Sequence, residues 1–216
     1  MFFLCLAGFS QLDMLMKVFK VEGRYYANHA LANAAIVSLT AKNVLDCYFM
    51  KFSTTSEELY TPKAIVYGLH CYHMLMYHKK MRFDDWLHHG LMVGVALPLT
   101  EIVPSSTILG HSMFFINGLP GMIDYSLLFL ARNNMISKYT EKSVNRILNT
   151  WIRCPGCVMT TGFILMNIGI NYDTMSIQQK IASFAMAGCV YWNGVYFMDQ
   201  VVRDYALNTP NAICNK

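Results

Sequence analysis

Six stretches rich in apolar residues follow one another along the chain, separated by short polar connections that carry most of the lysines and arginines. They run Tyr25 to Phe49, Pro62 to Tyr77, Trp86 to Val103, Ser105 to Ala131, Trp151 to Ile170 and Ile177 to Val202. A helix needs roughly 20 mainly apolar residues to cross a hydrocarbon core, and each stretch comes near that length. Pro104 stops the third. Gly118, Pro120 and Gly121 interrupt the fourth and predict a break or kink there. The pattern predicts an all-α, polytopic membrane helix bundle of about six transmembrane helices. Residues 1–20 form an apolar segment without the basic start of a signal peptide. They are read as a partial or interfacial helix, an extra N-terminal element before a single transmembrane domain over 21–205. Residues 206–216 are a tail.

Composition agrees. Of 216 residues, 55% are apolar and only 14% charged, with mean hydropathy +0.31. Soluble domains carry about 25% charged residues. Small side chains at Ala27, Ala30, Ala34 and Ala35 in the first stretch, and at Ala185 and Gly188 in the sixth, would let helices approach closely. The 16 methionines fit adaptable apolar packing. No Lys/Arg run resembles a nucleic-acid tract, so no nucleic-acid partner is expected. The seven cysteines show no disulfide framework, and the chain has no Asn-x-Ser/Thr glycosylation acceptor.

Charge sets an orientation. With the N-terminus cytoplasmic, six spans place 13 of the 17 basic residues inside and leave Lys42, Lys51, Lys63 and Lys180 outside. That bias follows the positive-inside rule and predicts both termini in the cytoplasm. The connections leave no room for a soluble domain between spans.

Ionisable residues within spans are expensive and usually face a bundle interior. Here they gather at one depth. At 1.5 Å rise per residue, His29, His70, His73, the pair His88 and His89, Asp124, Arg153 and Asp199 all fall within about the inner third of the membrane. Asn117 sits beside the predicted break, where an irregular helix would line a cavity. A His, Asp and Arg cluster in a low-dielectric site suits acid–base chemistry. The competing reading is that these side chains snorkel to the interface or tie helices together. No metal is expected, because the HxxxH and HxxHH patterns of membrane di-iron enzymes are absent. Cys154-Pro155-Gly156-Cys157 has no second CxxC, and it reads as helix-start geometry with incidental cysteines.

Several motifs, in order, resemble the TLC-domain family over roughly residues 20 to 205. They are Arg24-Tyr25-Tyr26-Ala27-Asn28-His29-Ala30; Tyr67-Gly68-Leu69-His70-Cys71-Tyr72-His73, with His73 where the family usually has Asp; Trp86-Leu87-His88-His89; Thr100-Glu101; and Tyr191-Trp192-Asn193. The resemblance implies a TLC-like helix bundle in the endoplasmic reticulum or another internal membrane. It also implies membrane lipids as partners. In ceramide synthases of that family, the His pair works with a later H-D-x-x-D to acylate a lipid amine from acyl-CoA. Laid on that pattern, His88, His89 and Asp124 would be the catalytic residues, but Pro120-Gly121 replaces the His-Asp. A base would then be missing. The expectation is therefore a protein that binds or senses lipid and influences membrane lipid composition, with no cofactor. His29, His70, His73, Asn117, Arg153 and Asp199 would form its pocket. The alternatives are an acyl-CoA-dependent N-acyltransferase, with acyl-CoA as co-substrate, and an accessory subunit in a homo-oligomer or larger membrane complex.

Overall fold

Polar residues mark the buried face of the helix Arg24–Tyr48. Asn28, His29, Asn33, Thr40 and Asn43 recur at helical spacing with Ala32, Ile36 and Cys47, and all are buried. Leu31, Leu39 and Leu45 on the other faces are exposed. This is the reverse of the usual amphipathic stripe, and it suits a helix whose outer face meets hydrocarbon.

The computed structural model describes residues 1–53 and 59–208. Among the described residues seven helices longer than one turn follow one another: α1 (Phe2–Val18), α2 (Arg24–Tyr48), α3 (Tyr60–Tyr77), α4 (83–99), α5 (Ser106–Arg132), α6 (Lys138–Asn171) and α7 (Ile177–Asn208). No strand occurs among the described residues. Three of the helices, α5, α6 and α7, are long and apolar enough to cross a membrane. The N-terminal segment is a full helix of 17 residues. The expected tail is helical to Asn208, and the rest of it lies outside the described residues.

Neighbouring helices run up and down. At one end Lys63 of α3 reaches Glu101 beyond α4, and Ser53 meets Ser106 at the start of α5. At the other end Asn133 caps back onto Glu22, and Lys142 of α6 pairs with Asp204 of α7. Local signals fix the starts. Asp85 accepts from the Arg82 backbone N–H at 2.9 Å before α4, and Ser137 accepts from the Thr140 N–H at 3.0 Å before α6.

Helix α1 is held by a charge. Asp13 is 3% exposed, accepts from Tyr72 and Tyr77 of α3 at 3.0 and 2.5 Å, and faces Arg24 of α2 at 3.4 Å. A buried carboxylate needs such partners.

Three helices carry a proline in their interior, at Pro98, Pro120 and Pro155, and each passes it in the same way. A widened π turn occupies Met92–Ala96, Phe114–Gly118 and Asn149–Arg153. In every case it spans the sixth to the second residue before the proline. Proline lacks an N–H, and its ring collides with the carbonyl four residues back. The extra residue of a π turn relieves that collision without ending the helix. The break expected at Gly118–Gly121 is therefore a local widening of one continuous helix. For the same reason Pro155 does not start a helix. The fifth apolar stretch belongs to a helix that begins 13 residues earlier, at Lys138.

Apolar packing forms two clusters. One joins α2, α3, α4 and α5 through Ile36, Val66, Leu69, Met92 and Met113, and α1 packs against it. The other joins α5, α6 and α7 through Ile108, Ile164, Met186 and Val190. Close contact explains the CxxC segment: a Cβ on Gly156 would lie 2.1 Å from the Phe115 ring, and one on Gly194 would lie 2.6 Å from Cys157 Cβ. Cys154 and Cys157 are free thiols.

Candidate functional site

Between the two clusters lies a cavity of about 420 Å³, within the range of small-ligand sites. Every helix from α2 to α7 contributes to its wall. Eight of the nine residues singled out from the sequence line it: His29, His70, His73, His88, His89, Asn117, Asp124 and Arg153. Asp199 does not. It pairs with Arg203 one turn along α7, at 2.9 Å and half exposed.

Helix backbone fixes the imidazoles. Nδ1 of His29 lies 2.7 Å from the Tyr25 carbonyl, Nδ1 of His70 lies 2.8 Å from the Val66 carbonyl, and Nδ1 of His89 lies 2.6 Å from the Asp85 carbonyl. A carbonyl only accepts, so each Nδ1 carries a proton, and in the neutral ring Nε2 carries the lone pair. The Nε2 of His89 then accepts from Nδ1 of His73 at 2.9 Å. His73 is left with a free lone pair on its own Nε2. Tyr25 stacks on the His73 ring, with centroids 5.0 Å apart, and Tyr125 lies 4.4 Å from His29. The result is a continuous bed of five imidazoles, with neighbouring centroids 4.7–5.5 Å apart from His29 through His73, His89 and His70 to His88.

Charged groups share the chamber with the imidazoles. Arg153, in the last position of the α6 π turn, donates from Nη2 to Asn193 Oδ1 at 3.1 Å and lies 4.3 Å over the Phe197 ring. Its Nε is enclosed without a partner, as is Oδ1 of Asp124. Arg82 with Asp85, and Lys142 with Asp204, are ion pairs that also line the chamber.

A second space, of about 70 Å³, adjoins the first. Its lining is mainly apolar: Leu91, Met92, Ala96 and Leu97 of α4, Leu109 and Met113 of α5, and Met186 and Val190 of α7. His88, Ile116 and Asn117 line both spaces. The polar chamber thus borders an apolar slot between α4, α5 and α7, with these three residues between them.

Sequence reading missed Tyr25, Asp85, Tyr125, Lys142, Asn149, Tyr196, Gln200 and Asp204 on the chamber wall. The α6 residues lie on the polar first turns that precede the apolar stretch, where only the helical spacing of Glu141, Leu148 and Asn149 marks a buried face. His111 lies elsewhere. It is fully buried against Thr160 at 2.7 Å. No group of three or more His, Cys, Asp and Glu among the described residues is arranged to hold a metal ion. No family model, curated protein or solved structure matches the chain.

Proposed function

We propose that the chain is a multi-pass membrane protein of TLC type that crosses an internal membrane, such as the endoplasmic reticulum, with α2–α7. Both ends of that bundle face the cytoplasm, and the protein binds a lipid and so influences membrane lipid composition. One observation carries the ligand class. A polar chamber with five histidines borders an apolar slot, and His88, Ile116 and Asn117 face both. That is the shape of an amphiphile, with its head among the imidazoles and a chain between α4, α5 and α7. The excess of basic residues at the chamber end of the helices supports the orientation.

The test is mass spectrometry of lipids retained through gentle purification, compared between the wild type and Ala96→Trp, which fills the slot. Stoichiometric lipid in the wild type and its loss in the variant are expected. A wild-type protein that purifies empty overturns the reading.

A second reading is favoured by the position of His88 at the junction of chamber and slot. That is where the carbonyl of an acyl chain lying in the slot would sit. The reaction would be acyl transfer from acyl-CoA to a lipid amine, with His88, His89 and Asp124 taking part. Acyl transfer that survives His88→Ala with His89→Ala sinks this reading.

A further inference from the structure

Six acidic or strongly basic residues lie on the chamber wall: Arg82, Asp85, Asp124, Lys142, Arg153 and Asp204. Four of them pair off, Arg82 with Asp85 and Lys142 with Asp204. Arg153 and Asp124 remain. They share the cavity without meeting, because no Asp124 oxygen lies within 4.0 Å of the Arg153 guanidinium. Arg153 has no carboxylate partner among the described residues, only the neutral Asn193 amide and the Phe197 ring. Its enclosed Nε is unsatisfied. Asp124 accepts no hydrogen bond from the described residues, and its Oδ1 is enclosed.

Buried charges left unpaired are costly. A cation and an anion held apart in one cavity would be relieved together by a ligand that brings the opposite charges to each. From this arrangement we infer that the chamber takes a zwitterionic headgroup. Its phosphate or carboxylate would meet Arg153, and its ammonium would meet Asp124. A singly anionic head would satisfy Arg153 and leave Asp124 facing a like charge. A neutral head would satisfy neither. The bed of neutral imidazoles adds Nε2 acceptors at His29, His70 and His73, which suit the N–H donors of a primary ammonium over a second phosphate and so favour ethanolamine over choline. The planar fork of Arg153 suits a phosphate or carboxylate oxygen pair.

This inference rests on the lipid-binding reading and sharpens it to a headgroup class. The test uses the full chain in nanodiscs of equal parts phosphatidylethanolamine, phosphatidylcholine, phosphatidylglycerol and diacylglycerol, followed by extraction into detergent and native mass spectrometry of what stays bound. Wild-type protein is expected to enrich phosphatidylethanolamine about tenfold or more over phosphatidylglycerol and diacylglycerol, the size of one charge-assisted contact, with phosphatidylcholine between them. Asp124→Asn, which keeps shape, should raise bound phosphatidylglycerol relative to phosphatidylethanolamine. Arg153→Gln should remove the preference over diacylglycerol. Equal retention of phosphatidylglycerol and phosphatidylethanolamine by the wild type overturns the inference while leaving lipid binding intact. Wild-type selectivity unchanged in both folded variants overturns it as well. Protein that retains none of the four lipids fails both readings. The wild-type ratio needs no variant to fold, so it decides the matter alone if the substitutions prove unstable.

Discussion

His73 donates to His89 across 2.9 Å, and His89 in turn is held by the Asp85 carbonyl one turn back in its own helix. Both nitrogens of His89 are therefore occupied, and its role is to orient His73. Nitrogen NMR of histidine-labelled protein should find His29, His70 and His89 as Nδ1–H tautomers. Nε2–H on His70 would contradict the geometry. His89→Phe should cost about 1–3 kcal/mol of stability by stranding the His73 donor, measured by thermal unfolding in detergent.

Pro120→Ala restores an N–H and removes the collision that the π turn at Phe114–Gly118 relieves. The turn is expected to tighten to α. One residue of register turns a helix by about 100°, so Asn117 would leave the wall between chamber and slot. Circular dichroism should be unchanged, while retained lipid should fall. Unchanged lipid with unchanged helicity would show that the proline does not set the turn.

Gly156 faces the Phe115 ring, with a Cβ position 2.1 Å from it. Gly156→Val should destabilise the protein by about 1–3 kcal/mol through overpacking between α5 and α6. Nothing stands within 4 Å of a Cβ on Gly162. There, Ala should be neutral or stabilising by up to about 1 kcal/mol. Paired melting curves distinguish the two sites, and equal effects would place Gly156 outside the packed seam.

Asp13 links three helices, so Asp13→Ala should cost about 3 kcal/mol or more, leaving the Tyr72 hydroxyl and Arg24 unpaired. Limited proteolysis should then cut first between α1 and α2. A variant as resistant as the wild type would mean that apolar contacts alone hold α1.

How much of this was legible in the residues depends on the kind of signal. The second apolar stretch ends where α3 ends, at Tyr77, and the first matches α2 to within a residue at each end, because apolar length is what a hydropathy pattern encodes. The gathering of His29, His73, His88 and Asp124 around one cavity was also legible, since rise per residue converts sequence position into depth. Rotation about the helix axis was not. Asp199 is at the right depth but on the wrong face, and a π turn shifts every later face of α6 by one residue. The first turns of α6 were hidden for another reason. Lys142 and Asn149 look like loop residues until a neighbouring helix with Asp204 is known to stand beside them. The π turns themselves leave only one trace, the proline two residues downstream.

The Asp13 contacts also impose an order in time. Arg24 follows Asp13 by 11 residues, Tyr72 by 59 and Tyr77 by 64. During synthesis the carboxylate has no α3 partner until the third helix has been made. Helix α1 carries that charge in the middle of an otherwise apolar face, so it cannot settle against bare hydrocarbon cheaply. It should wait at the membrane surface and swing in only when α3 arrives. Helix α1, although it is made before α2 and α3, would then dock only after α3.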